Sequence, residues 1–136
     1  MPTPGTEGGT ETPVVVTLQH VQLAMPGGGE DEARRFYSGI LGLAEVPKPS
    51  NLAARGGCWF QLGDRELHLG VERPFVAARK AHPALLVKDL EGVRQRFEHS
   101  GVRTREDEPL LGYRRFYADD PFGNRLELLE AQPSTG

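Results

Sequence analysis

A pattern that occurs twice constrains this chain more than any other feature of its sequence. Each half opens with a histidine in an apolar, strand-like run, His20 and then His82, and closes with a metal-capable residue between leucines, His68 and then Glu127. About 60 residues separate the matching positions, a period too long for a solenoid repeat, and two copies indicate internal duplication. Each unit therefore contributes two side chains that bind transition metals, and a pseudo-twofold arrangement would bring all four to one point.

Each half also carries the same order of predicted elements, which is a strand, a helix and three further strands. β-Branched or alternating apolar runs predict the strands, and apolar residues spaced three and four apart predict the helices. In the first half, strands are predicted over 14–24, 43–46, 57–62 and 66–72, with a helix from Glu30 to Gly42. In the second half, they are predicted over 82–87, 102–104, 113–118 and 125–130, with a helix from Asp89 to Gly101.

This order predicts an α+β fold of two tandem βαβββ modules that form a curved eight-stranded mixed sheet with helices on the outer face. On this sheet we expect Tyr113 and Tyr117 to face the outer side, opposite Arg114 and Phe116. The expected organisation is a disordered tail over 1–13, a first module over 14–73, a linker over 74–81, a second module over 82–131 and a frayed tail over 132–136.

Composition argues against several classes of function. The 136 residues carry a formal net charge of −3, so we expect no nucleic-acid partner. The apolar runs are short and no charged-then-apolar signal pattern is found, so we expect no membrane segment and no secretion signal. The single cysteine, Cys58, excludes an intrachain disulfide and fits a reducing compartment. We therefore expect one compact cytoplasmic domain.

Three imidazoles and one carboxylate form a donor set that suits a divalent transition metal such as Zn, Ni, Mn or Fe. Each residue alone has an ordinary structural explanation, as a hydrogen-bonded histidine or as a glutamate on a solvated face. Their matching positions in the two halves favour a metal site made of His20, His68, His82 and Glu127.

The closing hairpin carries the most specific local motif, Asp-Pro-Phe-Gly-Asn-Arg-Leu-Glu-Leu over 120–128. It accompanies His20 and His82 on the opening strands and the run Phe-Tyr-(three residues)-Leu-Gly-Leu over 36–43 on the first helix. With the duplicated layout, these features resemble the vicinal oxygen chelate superfamily, which includes glyoxalase I, methylmalonyl-CoA epimerase, extradiol dioxygenases and the fosfomycin and bleomycin resistance proteins. The resemblance covers residues 18–130 and specifies a scaffold more than a reaction.

The resemblance implies that His20, His82 and Glu127 occupy three metal-ligand positions of the family. His68 matches a fourth position, which glyoxalase I usually fills with glutamate and the epimerases with glutamine. With His68 as a ligand, the centre keeps a formal charge of +1 and favours an anionic oxygen ligand. Alternatively, His68 contacts the substrate, and the other three form a two-histidine, one-carboxylate site with open positions.

The chemistry that the resemblance implies is bidentate binding of substrate oxygens to the metal, which stabilises an enediolate-like oxyanion while a proton moves. Glu127 would be both a ligand and the proton shuttle of a glyoxalase-like lyase or isomerase acting on a small molecule. The alternatives are a non-haem iron dioxygenase and an antibiotic resistance protein, either a fosfomycin-type transferase with a thiol cosubstrate or a drug-binding protein. The resemblance also implies a homodimer, with each site formed in one chain or between two.

Further residues are candidates for contact with the substrate. Arg79, Lys80 and Arg114 could bind an anionic group, although their position in a solvated linker and at a strand edge is the simpler explanation. Trp59 alternates with Phe60 on a strand, so one of these rings could line the pocket while the other lies in the core. The segment 47–57 is long enough for a lid or for an ordinary surface loop.

Overall fold

The computed structural model describes residues 13–133 of this chain. Eight strands run through it, and their bounds are β1 His20–Met25, β2 Glu45–Val46, β3 Cys58–Leu62, β4 Arg65–Val71, β5 Ala84–Leu86, β6 Thr104–Arg105, β7 Tyr113–Asp119 and β8 Arg125–Ala131. The helical segments are α1 Glu30–Arg34 with its π-helical extension Arg35–Ile40, a 3₁₀ turn Ala53–Arg55, and α2 Leu90–His99. Most of the two predicted tails, 1–12 and 134–136, lies outside the described residues.

The strands form two four-stranded mixed sheets with the same topology. The order is β1-β4-β3-β2 in the first sheet and β5-β8-β7-β6 in the second. In each, the opening strand pairs in parallel with the closing strand, and the other pairs are antiparallel. The predicted α+β fold of tandem βαβββ modules is confirmed, with the eight strands divided equally between the two sheets.

Particular residues at the ends of the helices stabilise those ends. Three acidic residues occupy the first turn of α1, where the helix dipole favours negative charge. After its extension the chain turns at Gly42, whose φ of +78° is the left-handed geometry common after a helix. The Asp89 side chain accepts a hydrogen bond from the Gly92 amide and so caps α2.

No helix within the described part of the chain is long and apolar enough to span a bilayer.

One core joins the inner faces of both sheets to the helices. Strand alternation turns Leu67 and Leu69 of β4, and Leu126 and Leu128 of β8, into this core, where all four are buried. The ring of Phe36 stacks on that of Phe97, with centroids 5.8 Å apart, so the helical segments of the two modules contact one another. The opposite face of each sheet, which we call the open face, carries the polar side chains.

A buried polar network also connects the modules. Asp120, in the turn between β7 and β8, accepts hydrogen bonds from the Tyr37 hydroxyl at 2.7 Å and from the Asn124 side chain at 3.0 Å. Its other carboxylate oxygen accepts from the amides of Phe122 and Asn124. Asn124 in turn donates to the Ala24 carbonyl oxygen at the end of β1. The closing hairpin of the second module therefore holds the opening strand of the first.

Two sequence predictions require correction. The strand predicted over 14–24 begins only at His20, and the preceding Val14, Val15 and Val16 are exposed. The physical reason is that β-branched residues form a strand only where a neighbouring strand completes the hydrogen-bond ladder. The predicted orientation of β7 is also wrong, because Phe116 is buried in the core and Tyr117 lies on the open face with its neighbour in register, Glu127.

Candidate functional site

The first module presents His20 and His68 together on the open face of its sheet. Their rings stack with centroids 4.1 Å apart. The ring of Trp59 stacks on the other side of His68 at 3.9 Å and almost parallel to it. His68 is buried between its two neighbours, whereas His20, on the edge strand β1, is exposed. The two predicted ligands of this module thus lie side by side.

Hydrogen bonds determine which nitrogen of each of these rings keeps an electron pair. The Nδ1 of His20 lies 2.6 Å from the side-chain oxygen of Gln19, and the Nε2 of His68 lies 2.8 Å from a carboxylate oxygen of Glu66. Because both oxygens accept, these nitrogens carry the protons. In the neutral rings, the electron pairs lie on Nε2 of His20 and Nδ1 of His68, the atoms that could bind a cation.

The second module brings His82 and Glu127 together in a similar way. The Nδ1 of His82 donates to the Lys80 carbonyl oxygen at 2.9 Å, and its Nε2 faces Glu127 Oε1 at 2.9 Å. A neutral ring protonated at Nδ1 therefore places two electron-pair donors opposite each other. A proton or a metal cation must therefore lie between His82 Nε2 and Glu127 Oε1. With a metal cation there, the two residues would supply two of its ligands.

Arg115 fixes the other oxygen of the Glu127 carboxylate. Its guanidinium donates to Glu127 Oε2 and to the Tyr117 hydroxyl, both at 3.0 Å. Burial acts to raise the pKa of Glu127, but the hydrogen bonds from His82 and Arg115 outweigh it and hold the pKa below its ordinary value. Glu127 is thus an ionised carboxylate at neutral pH, which is the form that binds a metal.

A cavity of about 450 Å³ adjoins the first pair of histidines. His20, His68 and Trp59 form part of its wall, and Lys48 and Arg55, from the segment predicted as a lid or loop, contribute to the lining. Its volume is in the range of pockets that hold small organic molecules. The cavity therefore provides space for a ligand directly beside two of the predicted metal ligands.

The four predicted ligands form two pairs and do not converge within the chain. In residues 13–133, no three side chains of His, Cys, Asp or Glu lie close enough together to hold a metal ion. His20 lies with His68, and His82 lies with Glu127. Each module therefore carries half of the expected ligand set.

The predicted substrate contacts have different surroundings. Trp59 lines the cavity. Arg79 is held by the Asp119 carboxylate and the Gly123 carbonyl oxygen, and Lys80 is exposed beside His82. Arg114 forms an ion pair with Glu130 on the face opposite Glu127. The assignment of these four residues to substrate binding stays a prediction.

Residues that sequence analysis missed surround the second pair. Tyr117 places its ring edge-on to His82 with centroids 5.4 Å apart, and the guanidinium groups of Arg115 and Arg125 lie 5.4 and 5.3 Å from its centre. Side chains two apart on a strand share a face, so the sequence alone could have placed Arg125 beside Glu127 on β8. The register of β7 against β8, which adds Tyr117 and Arg115, was not visible in the sequence.

Comparison with known proteins agrees with this architecture. Residues 17–128 match the model of the Glyoxalase/Bleomycin resistance protein/Dioxygenase superfamily. A glyoxalase family protein from Bacillus anthracis is 42% identical, with a TM-score of 0.85 over 90% of this chain and 100% of that chain. The chain therefore belongs to the Glyoxalase/Bleomycin resistance protein/Dioxygenase superfamily.

More distant structures share the fold. The fosfomycin resistance protein FosX from Listeria monocytogenes is 16% identical, with a TM-score of 0.68 over 90% of this chain and 97% of that chain. FosX from Mesorhizobium loti is 17% identical, with a TM-score of 0.66 over 88% and 95% of the two chains. No curated protein matches the sequence. The FosX structures show the scaffold alone, because one fold supports many reactions.

Proposed function

We propose that this protein is a divalent-metal-dependent enzyme of the glyoxalase type, a lyase or isomerase acting on a small molecule with vicinal oxygens. The observation that carries this proposal is the pair formed by His82 and Glu127. The Lys80 carbonyl oxygen orients His82 so that Nε2 and Glu127 Oε1 lie 2.9 Å apart, and both atoms are good ligands of a transition metal.

We further propose that a homodimer completes the ligand set, with His20 and His68 from one copy and His82 and Glu127 from the other. Two observations support this arrangement. No group of three ligands forms within the described part of one chain. The opening strands β1 and β5 are sheet edges, and Leu18 and Leu86, beside or within them, are 65% and 68% exposed. Unpaired edges flanked by exposed apolar side chains favour association with another chain.

In the proposed reaction, residues of the second module would move a proton between two atoms of the substrate. A bound divalent metal would stabilise the negative charge that develops on the substrate oxygens. Arg115 holds Glu127 Oε2 and so orients the carboxylate, which would take a proton from the substrate carbon and return it to the neighbouring one. Trp59, which lines the cavity, would shield one side of the substrate from water.

Metal analysis of protein purified without chelator tests the proposal and separates the alternatives. We expect about one Zn or Ni per chain, because these metals serve proton-transfer chemistry without redox change. Bound Fe(II) would instead favour the dioxygenase, and Mn with a dependence on K⁺ and a thiol would favour the fosfomycin-type transferase. Protein that neither contains a metal nor takes one up on reconstitution would contradict all three.

A mixing experiment tests whether the site is shared between copies. One variant carries His20→Ala and His68→Ala, and the other carries His82→Ala and Glu127→Ala, so neither parent has a complete site. If the sites are shared, each mixed dimer regains one intact site out of two. A dimer with one copy of each variant should then bind about half as much metal as the wild-type dimer.

The two variants are co-expressed, each with a different affinity tag. Metal is then measured in the dimer that carries both tags. Mixing two preparations of the same variant is the matched control and should restore nothing. Metal in the mixed dimer at the level of the parents would contradict shared sites. Size-exclusion chromatography of each parent checks that the substitutions leave the dimer intact.

A further inference from the structure

Arg115 and Arg125 are the arginines near Glu127 on the open face, and of these two Arg125 forms no ion pair with a described carboxylate. Its Nε atom is buried and has no hydrogen-bond partner among residues 13–133. No ion pair within 4.0 Å joins its guanidinium to a described carboxylate, whereas Glu127 pairs with Arg115. Asp119, which faces Arg125 across the β7–β8 ladder, is held by Arg79 and Arg105. The Nε–H group has therefore lost its contact with water without gaining an acceptor.

The surroundings of Arg125 place this unsatisfied donor beside the proposed reaction centre. Arg125 and Glu127 lie two residues apart on β8 and share the open face. The Arg125 guanidinium lies over the ring of Tyr117, which also contacts His82. The Asp107 carboxylate offsets part of this positive charge. Arg115 and Arg125 both act to lower the pKa of Asp107, although the hydrogen bond from the Glu108 amide lowers it most.

We propose that Arg125 binds an oxyanion of the substrate, a carboxylate or a phosphonate, and so determines its specificity. This inference rests on the proposed function, because it assigns a charge to the molecule that the metal would chelate. The substrate would carry one anionic group in addition to its two chelating oxygens. A guanidinium presents several parallel donors that match two oxygens of such a group.

The test measures oxyanion binding in metal-stripped protein, so that its result does not depend on the metal. Acetate and methylphosphonate are the probes, acetamide is the neutral control, and binding is followed by NMR through the arginine Nε–H signals. We expect Arg125→Gln to weaken binding of the preferred anion by about 10- to 100-fold, the value of one charge-assisted pair. Arg125→Lys should retain only part of the affinity, because lysine keeps the positive charge but lacks the parallel N–H donors of a guanidinium.

Arg94→Gln is the matched control. Arg94 lies on α2 and pairs with Glu91 and Glu106, so its removal should leave anion affinity unchanged. The stability of the free protein provides an independent readout. Because Arg125 has a buried donor without a partner, Arg125→Gln should not lower Tm, and the anion should raise Tm in the wild type but not in this variant.

The outcomes distinguish this inference from the proposed function. Preference for acetate indicates a carboxylate substrate, and preference for methylphosphonate indicates a tetrahedral anion. If the wild type binds neither probe, or if Arg125→Gln binds as well as the wild type, the role of Arg125 is overturned. Absence of metal uptake together with Arg125-dependent anion binding would overturn the metal-dependent reaction and leave the oxyanion site supported.

Discussion

Glu127→Ala is expected to lower the affinity for a divalent metal by more than about 100-fold and to abolish turnover. Loss of an outer partner of a metal ligand already costs about 10- to 100-fold, and this substitution removes a ligand itself. It also leaves His82 and Arg115 without the carboxylate that both contact in the structure. Metal content by mass spectrometry and affinity by competition with a chromophoric chelator provide the measurement.

Glu127→Gln separates metal binding from proton transfer at the same position. The amide keeps one oxygen that can bind a metal, but it does not accept a proton at neutral pH. We therefore expect partial metal occupancy with no turnover. Glu130→Gln is the control on the same strand, because Glu130 lies on the other face and binds Arg114. Normal metal affinity in Glu127→Ala would show that the ligand assignment is wrong.

Asp120→Ala is expected to destabilise the protein by at least about 3 kcal/mol. Asp120 accepts four hydrogen bonds, and the substitution removes every acceptor at once. The buried Tyr37 hydroxyl and the Asn124 side chain would then lack their partner. Burial, reinforced by the Asp120 carboxylate, raises the pKa of Tyr37 far above its ordinary value, so its hydroxyl stays a donor at neutral pH.

Chemical denaturation and calorimetry measure this loss. Tyr37→Phe removes one of the four hydrogen bonds and should cost only about 1–2 kcal/mol. Asp64→Ala is the control, because Asp64 is an exposed turn residue paired only with Arg65, and its loss should cost less than about 1 kcal/mol. A change in stability for Asp120→Ala no larger than that of Asp64→Ala would contradict the structural importance of the network.

The repeat and the periodicities of the sequence were sufficient to predict the fold class. The positions of Gly42 and Asp89 also predicted where the first helix ends and where the second begins, because those ends depend on local chemistry. The start of β1 was not predictable in the same way. Val14 and its neighbours have strand propensity, but a strand forms only with a partner, and which segment supplies a partner is a tertiary property.

The sequence predicted four candidate ligands, whose role in metal binding stays a prediction, but it predicted less about the residues around them. The two closing residues were identified because they interrupt leucine runs at matching places in the two halves. The stacking of His68 between Trp59 and His20 depends on the register of three strands, and no sequence pattern encodes that register. Arg115 was passed over in favour of Arg114 because the orientation of β7 was inverted in the sequence interpretation.

The hydrogen bond from Asn124 to the Ala24 carbonyl oxygen has a consequence for any attempt to separate the two modules. The turn of the second module holds the opening strand of the first, and the stacked rings of Phe36 and Phe97 belong to a common interior. We therefore expect that neither half keeps a complete interior if it is expressed alone.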